Sequence, residues 1–256
     1  MPNPLVGANK QGLIVFGGER SDNYGMVVSE APSFERARRK QTVYNVPGRN
    51  GSVIFQEDAW EDVNRSYNVF IPEDIQEDSG GNTYGTLAER VTNFEAMLNS
   101  MNGWQRLEDN FEPDVYRLAY YSGGDGFTNE LLSVGRATLN FTCRAERFLT
   151  AGETAQTVVN GDSISNPTKF ASKPLIYIAV STPSTITVSI GGKTISADVT
   201  DYINIDCDEM NAYRLSAENK NSDISGAFPL IQPGSNTIAI TGSPTLVKIT
   251  PRFFTI

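Results

Sequence analysis

The segment Gly226–Ile238, GAFPLIQPGSNTI, leads directly into the alternating residues Ile238-Ala239-Ile240 near the end of this 256-residue chain. The Pro233-Gly234 pair predicts a turn, and Asn236 is a residue type that suits a tight or left-handed position. Because apolar residues flank the turn, the segment is expected to lead into a buried strand of a β-sandwich. Taken alone, it predicts an ordered turn and no chemistry.

Short strands at regular spacing surround this segment in the second half of the chain. A two-residue hairpin turn is predicted at Gly191-Gly192, between Ile190 and Lys193. Strands without an intervening helix indicate a β-sandwich. The predicted strands are Leu175–Val180, Thr185–Ile190, Lys193–Val199, Tyr202–Cys207, Tyr213–Ser216, Thr237–Thr241 and Val247–Phe254.

The first half combines strands with one helix, predicted at about residues 86–102. Thr86 is a good N-cap, Glu89 completes a capping box, and Gly103 stands where a left-handed C-terminal residue belongs. An apolar stripe at helical spacing predicts that one face of the helix packs on a sheet. The stripe is Leu87, Val91, Phe94, Leu98 and Met101, and the strands are Leu13–Phe16, Val43–Val46, Val53–Phe55, Tyr67–Ile71, Val115–Tyr121 and Arg136–Cys143.

A stretch rich in Thr, Ser, Asn and Gly between Ala145 and Asn166 marks the predicted domain boundary. We therefore expect a mainly β protein. It has an α+β domain with one packed helix at residues 1–148 and a β-sandwich at residues 149–256. The last strand is a candidate for returning to the first domain.

The composition excludes several classes of function. The net charge is -9, and residues 1–148 carry 14 basic and 21 acidic side chains, which argues against a protein that holds nucleic acid through phosphate contacts. There is no histidine, so Ser-His-Asp and Cys-His catalysis and imidazole metal sites are excluded. Cys143 and Cys207 alternate in phase with apolar residues and are expected to be buried rather than to bind metal or form a disulfide.

No apolar run approaches the length of a membrane-spanning helix, which requires roughly 20 residues. The first residues, Met1-Pro2-Asn3-Pro4, lack the basic and apolar regions of a signal peptide. We therefore expect a soluble protein that is made in a cytoplasm.

Four acidic doublets could be read as glycosidase carboxylates or calcium ligands. Neighbouring acids in turns do not place two carboxyl groups across a sugar cleft, and they lack the ligand order of a calcium loop. We favour solvated loops, no metal, no cofactor and no catalytic residue. The doublets are Glu57-Asp58, Glu61-Asp62, Glu73-Asp74 and Glu77-Asp78.

A basic cluster follows Phe34 and contains Arg36, Arg38, Arg39 and Lys40. It is either a solvated face of a strand or hairpin, or a contact between subunits. In the second case it would meet a different, acidic patch on a neighbouring copy, formed by Glu57, Asp58, Glu61 and Asp62.

The order of several segments resembles the siphophage distal tail protein (Dit) family. In the first half, two of these segments precede the predicted helix, one marks the end of the helix and two follow it. In the second half, Gly226–Ile238 resembles part of the family's C-terminal, galectin-like domain. The first-half segments are Val46–Gly51, Tyr67–Pro72, Gly103–Leu107, Tyr116–Tyr121 and Ala137–Cys143.

The resemblance implies a structural virion protein, not an enzyme, that is synthesised in the host bacterial cytoplasm and located at the siphovirus tail tip. Such proteins form a homohexameric ring, the baseplate hub. The first domain closes a channel under the tail tube, through which DNA passes, and the galectin-like domain projects outward toward tail-tip, baseplate or receptor-binding proteins used in host adsorption.

Three alternatives stay open at this point. A tail-tube protein would also form rings, and an enzyme acting on wall polymers would need a carboxylate pair in a cleft. A carbohydrate-binding module could stack sugars on Tyr177, Tyr202 or Tyr213, although this half has no tryptophan and protein docking is the favoured interpretation.

Overall fold

The computed structural model describes residues 12–32, 35–72, 85–130, 134–215 and 218–256. The chain divides into two units. The first runs to Arg147 and includes Ile256, and the second spans Phe148–Thr255. Antiparallel strands dominate both units, which confirms the predicted mainly β fold class.

One large antiparallel sheet forms the first unit, with neighbouring strands in the order β2-β1-β7-β8-β9-β6-β3. Strands β4 and β5 form a separate two-stranded sheet. The strands are β1 Ile14–Phe16, β2 Glu19–Arg20, β3 Val27–Val28, β4 Arg39–Asn45, β5 Ser52–Trp60, β6 Val63–Pro72, β7 Gln105–Asp109, β8 Val115–Glu130 and β9 Val134–Leu149, and a 3-10 turn spans Ser21–Tyr24.

The helix α1 spans Leu87–Ser100 and begins as predicted. Thr86 Oγ1 accepts the Glu89 N–H at 3.3 Å, and Glu89 Oε2 accepts the Thr86 N–H at 2.8 Å, which completes the capping box. Gly103 adopts a φ of 69°, the left-handed conformation expected after the helix.

The predicted apolar stripe of the helix faces the sheet. Phe94 and Leu98 are buried, and the other three stripe residues are partly buried. They pack with alternate residues of β6, β8 and β9, because successive side chains of a strand point to opposite faces. The buried strand residues are Tyr67, Val69, Ile71, Ala119, Ala137, Leu139, Phe141 and Cys143.

In the second unit, a six-stranded sheet (β10-β21-β12-β15-β16-β17), a four-stranded sheet (β18-β14-β13-β20) and the pair β11-β19 share one apolar core. Short 3-10 turns span Thr150–Gly152 and Asn221–Asp223. The strands are β10 Gln156–Thr157, β11 Ser163–Asn166, β12 Leu175–Ala179, β13 Ser184–Ile190, β14 Lys193–Val199, β15 Tyr202–Asp206, β16 Asn211–Arg214, β17 Glu218–Asn219, β18 Ile224–Gly226, β19 Gly234–Thr237, β20 Ala239–Thr241, β21 Leu246–Thr250 and β22 Phe254–Thr255.

The Gly191-Gly192 turn is confirmed. Both residues have a positive φ, 58° and 79°, and Ile190 pairs with Lys193. Gly191 also lies against the Leu230 carbonyl, where a Cβ atom would approach to 2.1 Å. The turn therefore requires glycine both for its conformation and for its packing on the Gly226–Ile238 segment.

The Gly226–Ile238 segment differs from its prediction in two respects. Gly234, with a φ of 82°, takes the left-handed conformation, whereas Asn236 is buried in a strand. The predicted strand Thr237–Thr241 is interrupted at Ile238, and its halves β19 and β20 belong to different sheets. The backbone at the change of sheet is held by other groups, since the Ile238 N–H donates to the Asp162 carbonyl at 2.8 Å and the Gly161 N–H donates to the Ile238 carbonyl at 2.9 Å.

Four hydrogen bonds hold Asn236. Its carboxamide oxygen accepts the Gln232 N–H at 2.8 Å, and its NH₂ group donates to the carbonyls of Gln232, Gly234 and Ile164 at 2.7, 2.9 and 3.4 Å. A buried amide with these partners fixes the turn at residues 232–234 that precedes β19.

The predicted strand Val247–Phe254 is also divided. It ends at Thr250, and Arg252 has a φ of 54° before β22 begins at Phe254. Strand β22 pairs with β9, whose last residues belong to the second unit, and the Leu149 N–H donates to the Phe253 carbonyl at 2.8 Å.

Candidate subunit interface

The two-stranded hairpin β4–β5 contains the predicted basic and acidic segments. Its strands pair from Asn45 opposite Ser52 to Arg39 opposite Trp60, with a register shift after Arg39. The connection holds two left-handed glycines, Gly48 and Gly51, with φ of 80° and 83°. The Val46–Gly51 segment is therefore the tip of this hairpin.

Apolar side chains lie exposed on both faces of the hairpin. Val43 lies opposite Ile54 on one face, and they are 51% and 54% exposed. Tyr44 lies on the other face with Phe55, and their ring centroids are 5.6 Å apart. An isolated two-stranded hairpin is marginally stable in water, so the apolar groups exposed on both faces make this hairpin a candidate surface for contact with another protein.

The base of the hairpin brings the basic and acidic segments together within one chain. The Glu61 N–H donates to the Arg38 carbonyl at 2.8 Å. The guanidinium of Arg39 lies 3.7 Å from the Asp58 carboxylate and 4.8 Å from the centre of the Trp60 ring. The two segments therefore need no second copy to meet, and their role in a subunit contact stays a prediction.

A polar cleft of about 410 Å³ lies beside this base. Basic and acidic side chains both line it, so it does not present a surface of one sign. Its lining residues are Glu35, Arg36, Arg38, Glu61, Asp62, Val63 and Asn64, while Lys40, Glu57 and Asp58 are exposed farther along the hairpin.

A buried ion network holds the strand that continues from the hairpin. Arg65 on β6 is 3% exposed and donates to Asp109 Oδ2 at 2.6 Å and, through Nε, to the Tyr67 hydroxyl at 2.7 Å. The Tyr67 hydroxyl also donates to Asp109 Oδ2, at 2.7 Å. Glu112 lies 3.2 Å from Arg65 and also pairs with Arg117 and Arg147.

Burial and neighbouring charges act together in this network. Burial by itself would lower the pKa of the Arg65 guanidinium, but Tyr67 and Asp109 more than offset this, so its pKa is raised. Burial raises the pKa of Tyr67 well above its ordinary value. Arg65 is therefore a fixed cation that joins the base of the hairpin to β7.

The other candidate residues predicted from the sequence do not form a site with one another where the structure describes them. Both cysteines are free and buried, as predicted. Within the described ranges there is no cluster of side chains that could hold a metal ion and no helix long and apolar enough to cross a membrane. Glu73-Asp74, Glu77-Asp78 and Phe34 lie outside the described residues.

Tyr177, Tyr202 and Tyr213 do lie on one face of the six-stranded sheet. Tyr177 and Tyr213 both pair with Asn204, from opposite sides. Tyr202 stacks on Tyr177 with centroids 5.7 Å apart, and Arg214 lies 5.2 Å over the Tyr202 ring. Because Tyr177 and Arg214 already pack against the Tyr202 ring, Tyr202 is a poor platform for stacking a sugar.

Sequence reasoning missed the exposure of the hairpin and the Arg65 network. Val53, Ile54 and Phe55 form a continuous apolar run, which by pattern alone is typical of a strand buried on both faces. The exposure could have been inferred because this apolar run lies between charged segments and pairs, across a predicted turn, with the equally apolar Val43 and Tyr44.

No protein-family model matches the chain, and no curated protein matches it. Among solved structures, the chain is similar to the Dit protein (gp 19.1) of SPP1, a paradigm of the hub adsorption apparatus in phages that infect Gram-positive bacteria. The TM-score is 0.72 and the sequence identity 14%, over 96% of this chain and 100% of the SPP1 chain. The chain therefore has the fold of the SPP1 Dit hub protein, which confirms at the level of the fold the resemblance seen in the sequence.

Proposed function

We propose that this protein is a structural part of a phage tail tip. Six copies form a ring that links the tail tube to tail-tip and adsorption proteins, around a channel through which DNA passes. The observation that carries this proposal is the exposed hairpin, Arg39–Trp60, on a chain with the fold of SPP1 Dit.

The hairpin supports assembly because its apolar faces need cover. Identical subunits arranged head to tail have heterologous interfaces, in which one patch meets a different patch on the neighbour, and such interfaces generate rings when the rotation between copies closes. Covering exposed valine, isoleucine, tyrosine and phenylalanine side chains would supply the apolar centre of such an interface. The polar base, with Arg38 and Arg39 beside acidic residues, would form its rim.

The acidity of the first half supports passage of DNA without retention. Residues 1–148 carry seven more acidic than basic side chains. A channel formed by such domains would offer few cations for phosphate contacts, which are the main source of non-specific affinity for DNA. Neutral replacements of the acids that line the channel should then slow DNA release, and unchanged infection kinetics would contradict this part of the proposal.

The assembly state tests the proposal directly. We expect light scattering to give a particle mass close to six times the 28.0 kDa chain mass. If the purified protein has a smaller mass, negative-stain images of assembled tails should show the ring. Joint replacement V43S/I54S should lower the yield of rings. Val159→Ser is the matched control, because Val159 is 63% exposed but lies in the other unit.

The outcomes separate the alternative functions. Rings that stack into long tubes would indicate a tail-tube protein. A monomer that binds wall glycans, and is absent from purified tails, would indicate a carbohydrate-binding module. Release of sugars from wall polymers would indicate an enzyme. Each of these results would overturn the proposed hub.

A further inference from the structure

Large exposed hydrophobic side chains of the first unit occur in two places among the residues that the structure describes. One is the hairpin, and the other is the pair Trp104 and Tyr120, which are 37% and 41% exposed. A heterologous interface requires two different patches on every subunit. The hairpin and this second patch meet that requirement.

The second patch, Trp104, Tyr120 and Arg144, lies on the sheet face opposite the helix. Gln105 pairs with Ala119, which places Trp104 beside Tyr120, and their ring centroids are 5.2 Å apart. Arg144 of β9 alternates with the buried Cys143 and lies 5.1 Å over the Trp104 ring. Trp, Tyr and Arg are the residue types that most often dominate the energy of protein interfaces.

The charges beside the two patches are complementary. On the hairpin, Glu57 follows Phe55 by two residues and so lies on the same side of β5 as the Tyr44–Phe55 ring pair. Glu57 is exposed and has no ion pair with a described residue. Arg144 also has no ion pair with a described residue. An anion without an ion pair therefore accompanies the hairpin rings, and a cation without an ion pair accompanies Trp104.

We propose that the Tyr44–Phe55 face of the hairpin of one copy packs on Trp104 and Tyr120 of the next copy, with Glu57 against Arg144. This inference rests on the proposed ring, and it specifies which two surfaces meet. Each copy donates its hairpin to one neighbour and receives a hairpin from the other, so the contact repeats around the ring without using any patch twice.

Charge exchange tests the polar contact. Glu57→Arg and Arg144→Glu should each weaken association at least about tenfold, because each places like charges together, and the double variant should recover much of the loss. Glu153→Arg, in the other unit, is the matched control. Circular dichroism and tryptophan fluorescence check that each variant is folded. Additive losses in the double variant would overturn the Glu57–Arg144 contact.

Cross-linking tests the aromatic contact. Phe55→Cys and Tyr120→Cys are treated with a short bismaleimide, while the native Cys143 and Cys207 are buried. A mixture of the two single variants should give covalent dimers, each single variant alone should give none, and the double variant should give a ladder of oligomers. Dimers from one single variant alone, or a cross-link confined to one chain, would overturn the inference.

The two proposals fail in different ways. If tails contain a ring of wild-type protein but no Phe55–Tyr120 cross-link forms, the assigned surfaces are wrong and the hub function stands. If purified tails do not contain the protein at all, the hub function itself fails.

Discussion

Replacing Arg65 by Met should destabilise the first unit by about 3 kcal/mol, the lower end of the range for breaking a buried ion pair. The change removes hydrogen bonds of 2.6 Å to Asp109 and 2.7 Å to Tyr67. It leaves the Asp109 carboxylate, 5% exposed, without its guanidinium. We choose the lower end because Asp109 keeps backbone donors.

Those donors are the N–H groups of Phe111 and Glu112, which lie 3.0 and 2.9 Å from Asp109 Oδ1. The Tyr67 hydroxyl also remains. Glu112 in turn keeps Arg117 and Arg147 as partners. The loss of Arg65 therefore leaves the Asp109 carboxylate buried without a cation, whereas the other hydrogen bonds and ion pairs of the network remain.

Urea unfolding followed by tryptophan fluorescence measures this loss selectively. The chain contains two tryptophans, Trp60 and Trp104, and both belong to the first unit. With a denaturant dependence of about 2 kcal/mol per M, a loss of about 3 kcal/mol moves the midpoint by roughly 1.5 M.

Arg39→Met is the matched control. Arg39 lies 3.7 Å from Asp58, and the two side chains are 43% and 105% exposed, so its loss should cost less than about 1 kcal/mol. If Arg65→Met does not fold, Arg65→Lys keeps the charge without the guanidinium fork and should show a smaller loss. Equal midpoints for Arg65→Met and Arg39→Met would refute the reasoning.

Three further predictions concern single side chains. Asn236→Ala should destabilise the second unit by about 2–4 kcal/mol, because it leaves buried backbone groups unsatisfied, and circular dichroism should detect this while the tryptophan transition stays in place. Burial raises the pKa of Cys143 to about 11 and the pKa of Cys207 to about 12. Neither thiol should therefore react with a thiol reagent at neutral pH until the chain unfolds. Labelling of the native protein would contradict this prediction. Burial opposes ionisation of Asp206, but Arg252 and two backbone N–H groups lower its pKa below the usual 3.8. The stabilisation from this carboxylate is therefore present at neutral pH and is lost as the pH falls through the lowered pKa. Asp206→Asn should make the stability measured by circular dichroism less dependent on acid pH, and an unchanged pH profile would count against this.

The sequence alone predicted the features that depend on neighbours along the chain. The capping box of Thr86 and Glu89 involves residues three apart, and the Gly191-Gly192 turn is set by backbone conformations open to glycine. The alternation that buries Cys143 is likewise local. Such signals survive without any knowledge of the fold, because the interacting groups are held close by the chain itself.

Tertiary structure decided what depends on distant residues. Arg65 and Asp109 are 44 positions apart, and no local pattern pairs them. The apolar segments around Val43 on β4 and Ile54 on β5 have the pattern of buried strands, yet both side chains are more than half exposed in the described chain. Likewise, Asn236 is a turn residue by type, but pairing of β19 with β11 makes it a buried anchor of the turn that precedes β19. Sequence therefore determined the local turns and most strand segments, because their signals lie in neighbouring residues. Strand pairing and burial decided where two predicted strands are divided, which polar groups anchor the units and which apolar surfaces stay exposed.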